Sequence, residues 1–112
     1  MQNAELFNVK DKTVLVTGGS RGIGLMIAKT FVANGAIVYI SARSKNVCDK
    51  SAGELTKMGP GKCYSIPADL SSIPQVQMLV GELTKRTDRL DVLINNAGAN
   101  WASPIEEFSC LT

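Results

Sequence analysis

Short apolar runs alternate with longer amphipathic segments along the 112 residues, with no internal repeat and no linker. That alternation is the mark of strand–helix–strand units and a parallel sheet. Thr13-Val14-Leu15-Val16-Thr17 is nearly all apolar, as a strand covered on both faces should be. A helical pattern follows over residues 23–34, with Ile23, Ile27 and Phe31 on one stripe joined by Met26. The stripe is expected to pack on the sheet, and Asn34-Gly35 to stop the helix. Ile37-Val38-Tyr39-Ile40-Ser41 reads as a second buried strand. Cys48, Ala52 and Leu55 mark a looser helix, interrupted by Gly53 and ended by Gly59-Pro60-Gly61. A third strand over residues 62–66 leads through Pro67-Ala68-Asp69-Leu70 to a strong helix start. There Ser72 is expected to cap, Pro74 lies in the first turn, and Gln75 stands where a capping box needs it. Val76, Leu79, Val80 and Leu83 give that helix a core face. Residues 90–94 form a fourth strand, Asn95-Asn96-Ala97-Gly98 follows, and residues 103–108 resemble one turn of a further helix.

Right-handed crossovers convert this order into a topology. The first two helices lie on one face while the sheet grows one way, and the third crosses to the other face to bring strand four beside strand one. The expected strand order is 3-2-1-4. The crevice at the carboxyl ends of strands one and four is then the switch point where such sheets bind ligands.

Composition narrows the class without changing that picture. The chain is 45% hydrophobic and 20% charged with a net charge of +2, which fits one globular domain. Dispersed basic residues without interleaved aromatics set nucleic acid aside. The longest apolar run, Ala36-Ile37-Val38-Tyr39-Ile40, is too short to span a membrane, and the first residues do not read as a signal peptide, so a cytoplasmic location is the default expectation. Cys48, Cys63 and Cys110 are widely spaced in a chain without histidine. They suggest neither a zinc site nor a disulfide framework.

The candidate chemistry sits at strand ends. Thr17-Gly18-Gly19-Ser20-Arg21-Gly22-Ile23-Gly24 joins the first strand to its helix, where a turn lacking Cβ atoms lets backbone N–H groups and the helix N-terminus approach a pyrophosphate. The spacing Gly-x-x-x-Gly-x-Gly is neither the common dinucleotide fingerprint nor a P-loop, since Leu25 stands where the P-loop needs lysine. Together with Asp69-Leu70 after the third strand and Asn95-Asn96-Ala97-Gly98 after the fourth, it resembles the cofactor half of the short-chain dehydrogenase/reductase family, over nearly the whole chain.

The resemblance implies a Rossmann-type doubly wound α/β fold, truncated here, with residues 1–112 as the N-terminal half of a dinucleotide-binding domain. It also implies roles. Thr17, Gly18, Gly22 and Gly24 belong to the pyrophosphate turn, with Ser20 and Ile23 adding contacts from the loop and helix start. Asp69 and Leu70 border the adenine. Asn95, Ala97 and Gly98 lie along the riboses, and Asn95 ties the fourth strand into the sheet. An NAD site usually carries an acid at the end of the second strand. This chain has Ser41-Ala42-Arg43-Ser44 there. Arg43, joined by Arg21, is expected to meet a 2′-phosphate through charge-assisted hydrogen bonds of roughly 1.5–3 kcal/mol each. NADP(H) is therefore the expected cofactor.

Members of the family reduce carbonyls by hydride transfer, using a Tyr-x-x-x-Lys pair and a serine. Tyr39 is followed four places on by Arg43, and Tyr64 by Ala68, so neither begins that motif, and no catalytic residue is assigned. The chain is expected to be the front half of an NADP-dependent reductase of a carbonyl or 3-oxoacyl group. By itself it should bind NADPH weakly or not at all, turn nothing over, and expose an unpaired strand-four edge. The alternative is a non-catalytic nucleotide-binding fragment acting by association. A full-length form is expected to be a homo-oligomer acting on a small carbonyl substrate, with no nucleic acid or membrane partner. Trp101 is read equally as a border of the substrate cleft or a loop anchor.

Overall fold

The computed structural model describes residues 9–18 and 22–96. The elements run β1 (Thr13–Thr17), α1 (Gly22–Ala33), β2 (Ile37–Ser41), α2 (Lys45–Met58), β3 (Lys62–Ser65), α3 (Ile73–Arg86) and β4 (Val92–Asn95). The strands form one parallel sheet in the order β3-β2-β1-β4, as the crossover argument requires. The turn of helix expected over residues 103–108 lies outside the described residues, as do Trp101 and Cys110.

Successive strand residues point to opposite faces, so the apolar runs feed two cores. Val14, Val16, Val38 and Ile40 meet Ala28, Val32, Cys48, Ala52 and Leu55 on the α1 and α2 face. Leu15 and Tyr39 meet Ile66, Leu70, Leu79 and Leu83 on the α3 face. Burial of each large side chain contributes roughly 1.5–3 kcal/mol. Cys48 and Cys63 are free thiols inside the first core, and burial pushes the Cys63 thiol up to about 12. At neutral pH such a thiol is protonated and inert.

Three local expectations are corrected. On α1 the buried residues are Gly24, Ala28 and Val32, whereas Ile23 and Met26 are each 67% exposed. Ile27 and Phe31 pack only partly against the core. Small side chains let the helix axis lie close to β1, so the contact stripe follows the small residues and turns the larger Ile23 and Met26 outward. Ser72 occupies the cap position of α3, but its side chain makes no capping bond. Gln75 Oε1 instead accepts the Asp69 N–H at 3.2 Å, which fastens the loop before the helix. Strand four begins at Val92, two residues later than expected; Asp91 before it donates its N–H to the Thr13 carbonyl at 2.9 Å, but its side chain, not its carbonyl, accepts the Thr13 N–H, with Oδ2 at 2.8 Å. The expected stop of α1 is found. Gly35, at φ +87°, donates to the Val32 carbonyl, and Ala36 donates to that of Phe31, which together close a Schellman motif.

Helix α2 is held by Ser44, whose Oγ accepts the Val47 N–H at 3.3 Å, and by Gly59, which donates to the Leu55 carbonyl. Gly53 lies mid-helix on the exposed side, where a Cβ would meet nothing within 4 Å. Gly53→Ala is therefore expected to stabilise the protein by about 0.5–1 kcal/mol, read as a raised denaturation midpoint. A lowered midpoint would show that the position is constrained in a way the open surface does not reveal.

Candidate functional site

The carboxyl end of the sheet gathers four segments. Gly18 follows β1 at φ +69° and Gly22 opens α1 at φ +60°, a backbone region that side chains disfavour. The Gly18 N–H donates to the Ser41 carbonyl at 2.7 Å, which fixes the first glycine to the end of β2. Gly24 lies against the Gly18 carbonyl, and a Cβ there would also come within 2.8 Å of Asn96 Nδ2. The turn and the start of α1 are thus in backbone contact, which only glycine permits. Neither α1 nor α2 carries an acidic residue in its first turn, so the field of each helix N-terminus is left positive.

Thr17 is fully buried, and its hydroxyl links the turn to β4. It accepts the Asn96 N–H at 2.9 Å and lies 2.9 Å from Asn95 Oδ1 and 3.4 Å from the Ile94 carbonyl, both acceptors for its proton. Thr17 therefore serves as a brace behind the glycine turn. Asn95 pairs in register with Thr17 of β1. Asn96 is the residue that sequence reasoning passed over: its main chain is held by Thr17 and its side chain borders Gly24. The asparagine doublet was the available signal.

Arg43 stands exposed just after β2, and no salt bridge among the described residues engages it. Asp69 lies across from it, after β3. Hydrogen bonds from the Ser71 hydroxyl at 2.6 Å and the Ser71 N–H at 3.1 Å hold its carboxyl below the ordinary range, and the Arg43 charge adds to the effect. Leu70 is buried in the second core, so what it presents to a ligand is mainly main chain. Ile23 is exposed at the start of α1. Ser20, Arg21, Ala97 and Gly98 lie outside the described residues. Tyr39 and Tyr64 sit in β2 and β3 with ring centroids 5.5 Å apart, and burial raises the Tyr39 hydroxyl pKa.

A parallel sheet in the order β3-β2-β1-β4 with a glycine turn at its switch point is the Rossmann-type arrangement. The sequence profile of the short chain dehydrogenase family matches residues 12–110, and the chain belongs to that family. It is 43% identical over 102 residues to the rhamnolipids biosynthesis 3-oxoacyl-[acyl-carrier-protein] reductase of Pseudomonas aeruginosa, covering 91% of this chain and 39% of that protein. Among solved structures, the P. aeruginosa RhlG/NADP active-site complex is matched with a TM-score of 0.78 at 45% identity, over 85% of this chain and 36% of that one. The L-sorbose reductase of Gluconobacter frateurii, complexed with NADPH and L-sorbose, is matched with a TM-score of 0.79 at 28% identity, over 90% and 38%. The chain thus spans well under half the length of these relatives.

Proposed function

We propose that the chain is the cofactor-binding part of an NADP(H)-dependent reductase acting on a carbonyl group, a 3-oxoacyl group being the favoured class. The observation that carries the reading is the glycine turn, with Gly18 and Gly22 at positive φ and Gly24 against the Gly18 carbonyl, next to a β2 end that offers Arg43 and no acid. The relatives that bind NADP or NADPH support the cofactor, and the 3-oxoacyl reductase supports the substrate class.

In this reading the nicotinamide, when bound, supplies or accepts the hydride. The chain's own residues bind and orient. The turn from Gly18 to Gly24 and the N-terminus of α1 take the pyrophosphate, with Ser20 and Ile23 beside it. Arg43, with Arg21, takes the 2′-phosphate. Asp69 and the Leu70 main chain border the adenine, while Asn95, Ala97 and Gly98 line the riboses.

The test is thermal unfolding with NADPH and with NADH, on this chain and on any longer protein its reading frame encodes. A ligand stabilises the state it binds, so NADPH is expected to raise the midpoint of the longer protein by several degrees and NADH by less. No response to NADPH there would overturn the cofactor assignment. A second reading is a nucleotide-binding module without turnover, which would carry no Tyr-x-x-x-Lys beyond these 112 residues either. A reading frame that continues without that motif would select it over the reductase.

A further inference from the structure

Strand β3 lies at one edge of the sheet, beside β2. Lys62, Ile66 and Ala68 donate to the Ala36, Ile40 and Ala42 carbonyls at 3.1, 2.9 and 3.0 Å, so alternate residues of this segment turn their main chain to β2. The residues between them, Gly61, Cys63, Ser65 and Pro67, face the open side. An edge of this kind is a template for pairing with another chain unless its donors and acceptors are covered. Here most of them are. The Gly61 N–H donates to the Val32 carbonyl at 2.9 Å, and Pro67 has no N–H to offer. At Cys63 one side chain takes both groups: the Thr56 hydroxyl accepts the N–H at 2.9 Å and donates to the carbonyl at 2.8 Å. Thr56 is an exposed residue near the end of α2, so its hydroxyl reaches the edge from the outside. At most Ser65 keeps an outward donor, and one donor does not make a ladder.

The partner that this edge would fit, once uncovered, is a second copy of the chain. Two β3 strands set antiparallel about a two-fold axis at Tyr64 place Cys63 of each copy opposite Ser65 of the other, and each such pair exchanges two main-chain hydrogen bonds. The two Tyr64 residues then face each other in a non-hydrogen-bonded pair, where cross-strand side chains come closest. Tyr64 is 40% exposed, and its ring already lies against Tyr39, so an aromatic stack would continue across the joint. Every bond in this register draws on the Cys63 groups that Thr56 holds.

We propose that Thr56 guards the β3 edge against a second copy of this chain, its single hydroxyl closing the one pair of outward groups on which strand addition depends. The guard is independent of the cofactor reading, because it lies at the outer strand and not at the switch point. It makes the sheet one-sided: β3 ends it, and no further strand joins there while the hydroxyl is in place.

The test measures self-association by sedimentation equilibrium on the longest protein the reading frame encodes, with circular dichroism to establish that each variant is folded. Thr56→Ala is expected to associate one step beyond the unaltered protein, a doubling of mass with an association constant at least about tenfold higher. Thr56→Val, which keeps the branched shape without the hydroxyl, should do the same. Thr56→Ser keeps the hydroxyl and should behave as the unaltered protein. Adding Tyr64→Lys to Thr56→Ala should abolish the gain, because the register sets two ammonium groups directly opposite each other. In the unaltered protein, amide hydrogen exchange should be at least about tenfold slower at Cys63 than at Ser65. Equal exchange at those two amides would overturn the inference whether or not a variant folds. So would an unmoved association constant in a folded Thr56→Ala or Thr56→Val, or a gain that survives Tyr64→Lys.

Discussion

Arg43→Asp is expected to lower the preference for NADPH over NADH by at least about an order of magnitude, measured as the ratio of the two dissociation constants in the protein that binds NADPH. Two effects act in the same direction. The substitution removes the one exposed guanidinium placed directly after β2. It also puts a carboxylate beside Asp69, whose ionised form Arg43 helps to favour. Two acids there would repel a 2′-phosphate and accept ribose hydroxyls instead. Because Arg43 is exposed and makes no salt bridge among the described residues, folding should be little affected. A ratio that does not move would remove Arg43 from the site.

Gly24→Ala is expected to destabilise the protein by about 2–3 kcal/mol and to abolish the NADPH-induced rise in unfolding temperature. The new methyl group would collide with the Gly18 carbonyl and approach Asn96 Nδ2. The first obstacle is backbone held to β2 through the Gly18 N–H, so it cannot swing aside as a side chain can. Helix α1 would have to lift from the turn, and the N-terminal N–H groups proposed to take the pyrophosphate would move with it. Gly22→Ala is the control. A Cβ at that position meets nothing within 4 Å, and the cost is limited to holding alanine at φ +60°, about 1–2 kcal/mol. Equal stability losses in the two variants would show that the Gly24 contact yields easily.

Much of the fold was legible because the information is local or topological. Apolar runs at Thr13–Thr17 and Ile37–Ser41 had to be strands covered on both faces, and the handedness of crossovers then left one sheet order. The glycine spacing carried the site for a similar reason: a residue chosen for what it lacks leaves a trace that no neighbour can erase. The outward turn of Ile23 and Met26 was not legible, because hydrophobicity marks which residues can be buried and not how near the helix axis comes to the sheet. Nor was the start of β4, since Asp91 meets Thr13 with its main-chain N–H and with a carboxylate oxygen where a strand would offer a carbonyl. The Ser72 position had the right residue for a cap. The Gln75 amide found a better-placed donor in Asp69, a choice made by the loop's path.

The Thr17 hydroxyl also bears on the order of folding. Its partners Asn95 and Asn96 lie 78 and 79 residues further along the chain, whereas the units from β1 to β2 and from β2 to β3 close over far shorter spans. Closing the longest loop carries the largest chain-entropy cost, and contacts of that separation slow the search for the native state. The glycine turn belongs to the first quarter of the sequence, yet the side chain that borders Gly24 comes from the far end of the described residues. A ribosome-bound chain released only as far as β3 would hold every glycine of the turn and still lack the strand that braces it. The proposed cofactor binding would therefore begin in such a nascent chain only after β4 has emerged and paired with β1.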